Sequence, residues 1–280
     1  MSRHVNGFAS TRATRRRAPE VIYQNFYDFP HYYDLTFNGG SRREVEFLIQ
    51  CFKRHARRDV RQVFEPGCGT GRLLPFFARH GFAVSGLDIN DRAIDFCNNR
   101  LQRQGFSRAA ILGDMASFRL AGKVDAAFSM INTFRLLTSG RQAMSHLRCM
   151  ARALRVGGVY ALGLHLTPVV GKPLCVERHT NGKGKLQLRT TVRTMGVDLR
   201  KRLEHVRITC HAKTPLRRLQ IADDTLFRMY TLAQFRALLR RAAWFEIAAT
   251  YDFTYQIDSP IRLEHDTQDV VVILRKRASC

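Results

Sequence analysis

The sequence contains no uninterrupted apolar stretch of the roughly 18 to 20 residues that a membrane-spanning helix requires, because charged residues recur throughout. It also contains no internal repeat and no C-x-x-C pair, and its seven cysteines are odd in number and scattered. These absences argue against a membrane protein, a zinc site and a disulfide framework, and they favour a reducing compartment. We therefore expect a globular cytoplasmic protein that holds no metal.

Acidic residues are scarce: the chain has 23 of them against 46 basic residues, which gives a net charge of +23. Such an excess is typical of proteins that bind nucleic acid. However, the basic residues are eight lysines and 38 arginines, spread along the chain rather than clustered in one patch. An arginine-favouring genome explains this pattern at least as well, and we favour that explanation.

The first 19 residues contain five arginines and no acidic residue. They lack the apolar segment of a secretory signal, so their composition fits either an organelle transit peptide or a plain basic tail. Few apolar residues are available there for burial. We favour a disordered basic tail over residues 1–19.

From about residue 59 onward, short apolar or β-branched runs alternate with longer amphipathic runs, a pattern typical of a wound α/β sheet. The predicted strands are Val60–Glu65, Ala83–Asp88, Ala109–Asp114, Val124–Met130, Val159–Leu166, Phe245–Tyr251 and Val270–Leu274. The predicted helices are Leu73–His80, Arg92–Gln104, Arg141–Leu154 with its end at Gly157 and Gly158, and one that opens at a Thr231/Gln234 capping box. The predicted fold is a Rossmann-like, doubly wound sheet of seven strands.

Residues 167–229 interrupt this alternation. Their segments KLQLRTTVRT, VDLRKRLEHVRITCHA and ADDTLFRMY each alternate with period two and are separated by Gly, Pro or Asp. They predict an inserted antiparallel β subdomain beside the carboxyl edge of the core strands. With the aromatic Tyr27–Phe37 segment, this insert is expected to wall a closed cavity.

Chemically distinctive residues follow three successive predicted strands. Gly67, Gly69 and Gly71 follow the first strand, where glycines allow a tight bend and the approach of a ligand to the backbone. Asp88 ends the second strand, where an acid can accept both hydroxyls of a ribose, and Asp114 ends the third. The glycines alone are also explained by turn geometry, but the three strand ends together indicate a nucleotide-like ligand.

The motifs EPGCGTG, GLDIN, GDM, VDAAFSMINTF and LRVGGVYALGL together resemble those of class I S-adenosylmethionine-dependent methyltransferases. The resemblance is close over about residues 60–166 and looser in the YTLAQFRALLRRAAWFE segment, the final strand and the N-terminal YYDLTF. It implies a cofactor-binding core of residues 59–166 and 230–277. Residues 20–58 would form a helical lid segment, and residues 167–229 would cover the acceptor side.

The resemblance implies S-adenosylmethionine as cofactor and a set of residues that contact it: Tyr33, Glu65, Gly67, Cys68, Gly69, Gly71, Asp88, Ile89, Asp114, Met115 and Met130. Asp88 would hold the ribose hydroxyls. Asp114 and the Met115 amide would face the adenine edge, while the Ile89 and Met115 side chains enclose the base. Tyr33 would close over the cofactor with its ring near the sulfonium.

Two residues are candidates for work on the methyl acceptor. His165, at the end of the fifth strand, is a residue type suited to proton removal, and Asn132 is able to orient an acceptor. Either residue is equally explained by structure alone, His165 as an exposed strand end and Asn132 as a turn. In similar enzymes a His often follows shortly after this Asn, whereas here the run is Asn-Thr-Phe-Arg-Leu.

The acceptor is less defined than the cofactor. The chain lacks the Asn/Asp-Pro-Pro-Tyr/Phe signature of enzymes that methylate exocyclic amines of bases. We favour a small-molecule acceptor. The alternatives are an RNA methyltransferase, for which the insert arginines would line an exposed stripe leading to the methyl site, a non-catalytic S-adenosylmethionine-binding protein and an NAD-dependent oxidoreductase. The sequence does not determine the oligomeric state.

Overall fold

The structure is a computed structural model that describes residues 19–168 and 175–278. Its strands are β1 (Glu20–Tyr23), β2 (Gln62–Pro66), β3 (Ala83–Asp88), β4 (Ala110–Leu112), β5 (Val124–Ser129), β6 (Leu154–His165), β7 (Val176–Lys183), β8 (Leu186–Asp198), β9 (Leu203–Lys213), β10 (Arg218–Arg228), β11 (Phe245–Tyr251) and β12 (Asp269–Lys276). Its helices are α1 (Pro30–Phe37), α2 (Ser41–His55), α3 (Leu74–Arg79), α4 (Asp91–Arg103), α5 (Gly140–Ala153) and α6 (Leu232–Arg241).

Seven strands form the central sheet, in the order β11-β12-β6-β5-β2-β3-β4. The strands β4, β3, β2, β5 and β6 are parallel, whereas β12 is antiparallel to both β6 and β11. The predicted doubly wound α/β fold is confirmed. The strand order reverses between β2 and β5, and open α/β sheets bind ligands at the carboxyl ends of strands at such a switch point.

Both faces of the central sheet are covered, which explains the apolar runs in its strands. Phe64, Leu162 and Leu274 are buried on one face in a cluster with residues of α5 and α6. Val63 and Phe128 are buried on the other face with residues of α2, α3 and α4. The sheet is therefore a rigid platform whose carboxyl edge carries the loops discussed below.

Capping boxes fix the N-termini of two covering helices. The predicted Thr231/Gln234 box is present at α6, and Ser139 with Gln142 forms a second box at α5. The predicted end of α5 at Gly157 and Gly158 is wrong: the helix ends at Ala153, and both glycines lie in β6. A side chain on Gly158 would meet the carbonyl of Asp125 at 2.4 Å, so close strand packing explains this glycine.

The insert forms a second sheet in the order β1-β10-β9-β8-β7. Strands β7 to β10 are an antiparallel meander, and β1, from a segment that we expected to be helical, adds to it in parallel with β10. The VDLRKRLEHVRITCHA segment contains a turn between β8 and β9 rather than one strand. The inner face of this sheet buries Leu188, Ile208 and Ile221 against Phe26 and α1.

Buried polar contacts attach the insert to the carboxyl edge of the central sheet. Arg135, in the turn after β5, forms an ion pair with Glu204 of β9, which also accepts a hydrogen bond from Thr194 at 2.6 Å. Arg228 donates to the Thr138 carbonyl at 2.9 Å. The insert is therefore anchored beside the switch point. No helix among the described residues is long and apolar enough to cross a membrane.

Candidate functional site

The glycine turn after β2 adopts left-handed backbone at Gly67, Gly69 and Gly71, with φ values of 69°, 50° and 63°. A side chain on Gly67 would meet Thr133 at 2.4 Å, and one on Gly71 would meet Cys97 at 2.2 Å. Packing therefore requires two of these glycines. A side chain on Gly69 would meet only the Asp88 carboxylate, at 4.0 Å, so its surroundings are open. Gly69 is the glycine whose bare backbone faces space for a ligand.

Cys68, also in this turn, is bound into the core. Its side chain is buried beside Cys97 and Gly86, and its amide donates to the Leu87 carbonyl at 3.0 Å. The Gly67 amide donates to the same carbonyl at 2.7 Å. The amide and side chain of Cys68 thus make their contacts with other residues of the protein. Contact of Cys68 with a ligand stays a prediction.

Asp88 lies at the end of β3, directly beside Gly69. One carboxylate oxygen accepts the Gly69 amide at 2.7 Å, and the other accepts the Asn90 amide at 2.9 Å. Burial raises the pKa of Asp88, and these two backbone hydrogen bonds oppose that rise. Each oxygen keeps a further lone pair, so the carboxylate can also accept from two hydroxyls. The neighbouring Ile89 side chain is 74% exposed, as an apolar surface open to a flat ligand would be.

The turn after β4 carries Asp114 and Met115. The Asp114 carboxylate accepts the Ala116 amide at 2.7 Å, and the Met115 sulfur lies 3.6 Å from where a Gly67 side chain would begin. The Met115 carbonyl is bound by Nδ1 of His146 at 2.9 Å. Met115 therefore lies beside the glycine turn, and its contact with the adenine stays a prediction.

His146, which the sequence analysis missed, is fully buried beneath this turn. Its Nε2 is 2.9 Å from the Tyr160 hydroxyl, and burial lowers its pKa to about 4. The ring is therefore neutral at pH 7, with Nδ1–H donated to Met115 and Nε2 accepting from Tyr160. It supports the Met115 backbone from behind. The only signal for His146 in the sequence was its place as a single histidine on an apolar helix face.

Glu65, the penultimate residue of β2, is a buried carboxylate with 8% exposure, and its Oε2 has no hydrogen-bond partner among the described residues. Burial raises its pKa well above the usual range, and Arg72 opposes that rise. Arg72 itself is held by Glu44 of α2 in a bidentate pair at 2.6 and 2.9 Å. An unsatisfied buried carboxylate oxygen is costly, so its presence here indicates a missing polar partner.

We call the space bordered by Glu65, Gly69 and Asp88 the crevice. Aromatic residues of α1 and the preceding turn lie over it. The Tyr33 ring is 4.9 Å from that of Tyr27 and 5.0 Å from that of Phe37. Burial raises the pKa of Tyr33 to about 12, with further influence from Arg72, Asp88 and Glu65. Tyr33 is thus close to the same groups that surround the glycine turn.

Polar contacts fasten α1 over the glycine turn. Asp34 accepts the Thr70 hydroxyl at 3.1 Å and forms an ion pair with Arg100 of α4. Asn90 donates to Asp28 at 2.6 Å. The N-terminal segment is therefore bound to both strand ends that flank the crevice.

The ends of β5 and β6 carry the two residues considered for work on an acceptor. Met130 is buried against Gly163 of β6. Asn132 has left-handed backbone, with φ at 67°, and its side-chain oxygen accepts the His165 amide at 2.9 Å. Asn132 therefore closes a turn and joins the two strand ends. The His165 Nδ1 is hydrogen-bonded to Asp269 at the start of β12.

The loop after β11 supplies two aromatic residues that sequence patterns did not single out. Phe253 lies edge-on to the His165 ring, with centroids 5.1 Å apart. Tyr255 has left-handed backbone, with φ at 54°, which is rare for an aromatic residue and is concentrated at functional sites. Burial, Glu44 and Asp269 raise its pKa. The Tyr255 ring packs beside Phe47 and Phe253, with centroids 5.3 and 6.1 Å away.

A separate concave region of about 500 Å³ lies at the opposite edge of the sheet, around Asp125. Arg58, Arg155 and the amides of Arg61 and Gln62 all bond this carboxylate, at 2.9 to 3.1 Å. Its acceptors are used within the protein, and it lies at the amino ends of the strands. We therefore assign the candidate site to the carboxyl edge.

Residues 63–158 match a family model described as a methyltransferase domain. A curated relative, the ribosomal RNA small subunit methyltransferase C of Alcanivorax borkumensis, is 32% identical over 94 residues, which cover 33% of this chain and 29% of that protein. The chain thus spans less than a third of the length of that relative. The residues matched by the family model run from β2 into β6 of the central sheet.

Solved structures match far more of the chain. An S-adenosylmethionine-dependent methyltransferase from Clostridium acetobutylicum superposes with a TM-score of 0.74 at 15% identity, covering 91% of this chain and all of that one. CalS10, an amino pentose methyltransferase from Micromonospora echinaspora solved with S-adenosylmethionine bound, gives 0.65 at 20% identity, covering 90% and 98%. The TM-scores and coverages show a shared fold, and this fold includes the inserted sheet region.

Proposed function

We propose that this protein transfers a methyl group from S-adenosylmethionine to a small-molecule acceptor. The core of the chain is a class I S-adenosylmethionine-dependent methyltransferase domain. In this proposal residues 59–166 and 230–277 bind the cofactor. Residues 20–58 close over it, and residues 167–229 cover the acceptor side. A cytoplasmic location and a water-soluble acceptor remain parts of the proposal.

The observation that carries the proposal is the set of unsatisfied groups in one crevice. Glu65 has a buried oxygen without a partner, Gly69 faces open space, and Asp88 beside it has spare lone pairs. S-adenosylmethionine carries an ammonium group for a carboxylate and two ribose hydroxyls for a second one. The residues of the crevice therefore fit this cofactor.

When bound, S-adenosylmethionine supplies a methyl group on a positively charged sulfur that departs as a neutral thioether. The protein's main contributions are to hold the acceptor in line and to exclude water, which is worth up to roughly 7 to 11 kcal/mol when the reacting atoms are well oriented. A base is needed in addition if the acceptor carries a proton. Asp88 and Glu65 would fix one end of the cofactor. Tyr33, from the α1 segment fastened to Thr70 and Arg100, would exclude water above it.

The distribution of arginines on the insert favours a small acceptor over RNA. Thr190 of the inner face bonds Thr36 of α1 at 3.0 Å, so the alternating neighbours Arg189 and Thr191 point away from the crevice. Arg193 and Arg207 lie directly opposite one another in register on that same outer face. A basic surface exists, but the sheet separates it from the candidate site. CalS10, a similar fold, is described as acting on an amino pentose.

The test follows a labelled methyl group. The purified protein is incubated with methyl-labelled S-adenosylmethionine and, in separate reactions, total RNA, a size-filtered metabolite extract and D-glucosamine as a defined amine. Label in the small-molecule fraction supports the proposal. Label in RNA that is lost when Arg189, Arg193 and Arg207 are replaced by Ser supports the RNA methyltransferase alternative instead.

Cofactor binding is tested independently of any acceptor. S-adenosylhomocysteine is expected to raise the melting temperature, by an amount set by its concentration relative to its Kd, whereas NAD is not. Stabilisation by NAD alone would replace the methyltransferase proposal with a dehydrogenase. Stabilisation by S-adenosylhomocysteine without transfer to any acceptor fraction would favour a non-catalytic binding protein.

A further inference from the structure

His165 and Asp269 form a pair at the carboxyl edge of the central sheet. They are directly opposite in the antiparallel register of β6 and β12, and Nδ1 of His165 is hydrogen-bonded to the Asp269 carboxylate. The His165 amide is held by Asn132, and Phe253 contacts the ring edge-on. The backbone amide, Nδ1 and one ring contact of His165 are therefore all supplied by the protein, although the pair is partly exposed, with side-chain exposures of 34% for His165 and 51% for Asp269.

We propose that Asp269 is a positioning residue that fixes His165 as the proton acceptor of the reaction, and that the methyl acceptor is therefore a hydroxyl or ammonium group. This proposal rests on the proposed methyltransferase function. It names a residue that the sequence motifs did not identify. It also excludes acceptors that carry no proton to lose, such as thioethers.

The pair lies next to residues expected to border the reacting methyl group. Asn132, which bonds the His165 amide, follows Met130 by two residues and precedes Thr133, which packs against Gly67. Thr133 and Asn132 thus link the glycine turn to His165 through packing and one hydrogen bond.

The hydrogen bond selects one tautomer of the ring. The hydrogen bond from His165 lowers the pKa of Asp269, so this carboxylate is ionised at neutral pH and accepts from Nδ1–H. The Nε2 atom is then the ring nitrogen that accepts a proton. The uncharged Phe253 ring lies edge-on to the imidazole, and the neutral Asn132 side chain accepts the backbone amide of His165.

The proton transfer balances as follows. The O–H or N–H bond of the acceptor breaks, its proton moves to Nε2, and its electron pair forms the new bond to the methyl carbon. The methyl–sulfur bond breaks at the same time, and its electron pair stays on the sulfur, which leaves as a neutral thioether. His165 becomes an imidazolium whose charge is balanced by Asp269, and it returns the proton to solvent after product release. No oxidant, reductant or further co-reactant is required.

The first test measures the tautomer of His165 by nitrogen NMR on histidine-labelled full-length protein, with the His165→Gln spectrum as assignment. In the wild-type protein, Nδ1 of His165 should be protonated and Nε2 unprotonated. Asp269→Asn should lose that preference, and Asp269→Glu should restore it at least in part. This readout needs no acceptor and no cofactor. The same tautomer in wild type and Asp269→Asn would overturn the proposal.

The second test compares methyl transfer to the metabolite extract and to D-glucosamine. Loss of general-base catalysis predicts a fall of about 10²- to 10⁴-fold for His165→Gln and a smaller fall for Asp269→Asn, with unchanged affinity for S-adenosylhomocysteine. Asp224→Asn is the matched control, because Asp224 pairs with His205 at 3.1 Å on the outer face of the insert. Its transfer rate should be unchanged.

The outcomes separate the two proposals. Full transfer activity in His165→Gln, with S-adenosylhomocysteine bound normally, would overturn the proton-acceptor role and leave the methyltransferase function standing. Absence of S-adenosylhomocysteine binding in the wild-type protein would overturn the proposed function itself. An equal loss of activity in Asp269→Asn and Asp224→Asn would show only a general effect of removing a surface charge, and would also overturn the positioning role.

Discussion

The replacement Asp88→Asn tests the cofactor assignment most directly. The carboxylate uses one lone pair of each oxygen for the Gly69 and Asn90 amides, at 2.7 and 2.9 Å, which leaves one on each for a ribose hydroxyl. An asparagine amide has only one acceptor oxygen. Its NH₂ group would face either the Gly69 or the Asn90 amide, donor against donor, and one hydroxyl would lose its acceptor.

The magnitude follows from that count. A hydrogen bond to a charged group contributes about 1.5 to 3 kcal/mol, so the loss of one such bond should weaken binding about 10- to 150-fold. The low-dielectric surroundings that raise the pKa of Asp88 place this estimate towards its upper end. Additional disturbance of the glycine turn would increase it further.

Titration calorimetry with S-adenosylhomocysteine measures the effect, and Asp91→Asn provides the matched control. Asp91 is an exposed residue in the first turn of α4, three residues from Asp88, and its replacement removes the same charge from the same region. We expect its affinity to match that of the wild-type protein within about twofold, a difference of about 0.4 kcal/mol. Equal affinity in Asp88→Asn and Asp91→Asn would refute the ribose assignment.

Three further predictions concern stability and the crevice. Because burial lowers the pKa of His146 to about 4, the folded state binds fewer protons than the unfolded state between pH 6.5 and 4. The free energy of unfolding should therefore fall by about 3 kcal/mol as the pH is lowered from 6.5 to 4. Urea unfolding of His146→Gln should not show this pH dependence. Arg72→Lys should cost about 2 to 4 kcal/mol in urea unfolding, since Lys cannot reproduce the buried bidentate pair with Glu44; an unchanged midpoint would contradict the importance of that pair. Gly69→Ala should weaken S-adenosylhomocysteine binding at least tenfold, or about 1.4 kcal/mol, and should lower stability by about 1 kcal/mol. Gly184→Ala, at a similar φ of 59° in an open turn, is the control: it should lower stability by a similar amount and leave binding unchanged.

The grouping of the residues proposed to hold the cofactor was predictable because it follows from local sequence. Each strand of a parallel sheet ends at the same edge, so the residues after β2, β3 and β4 are brought together by the fold itself. A glycine run and an acid at those positions are visible without knowing any distant contact. Gly69 and Asp88 illustrate this, since their mutual hydrogen bond joins two successive strand ends.

The separate roles of the three glycines were not predictable. All three have positive φ, but Gly67 and Gly71 are required because Thr133 and Cys97 pack against them. Those neighbours come from the loop after β5 and from α4. Sequence reveals a glycine and not what surrounds it, so packing glycines and ligand-facing glycines look alike until the structure is known.

The acceptor half depends on contacts between residues far apart in the chain. Asp269 lies 104 residues after His165, and it reaches that residue only because β12 is inserted antiparallel between β6 and β11. An acid that opens a strand is ordinarily a solvated residue, so the sequence carried no signal for it. Tyr255 was missed for the same reason, since its unusual backbone conformation leaves no mark in a loop of mixed composition.

The position of the aromatic α1 segment depends on the insert as well as on the core. Strand β1 pairs in parallel with β10, about 200 residues later, and Phe26 is buried between that sheet and α1. The position of α1 therefore depends on this pairing with the insert as well as on the contacts of Asp34 with Thr70 and Arg100 in the core. Changes in the insert that never touch a ligand should therefore alter closure over the crevice. The hydrogen bond between Thr190 of the insert and Thr36 of α1 is one contact through which such changes would act, and under the proposed function it couples the second sheet to the acceptor side.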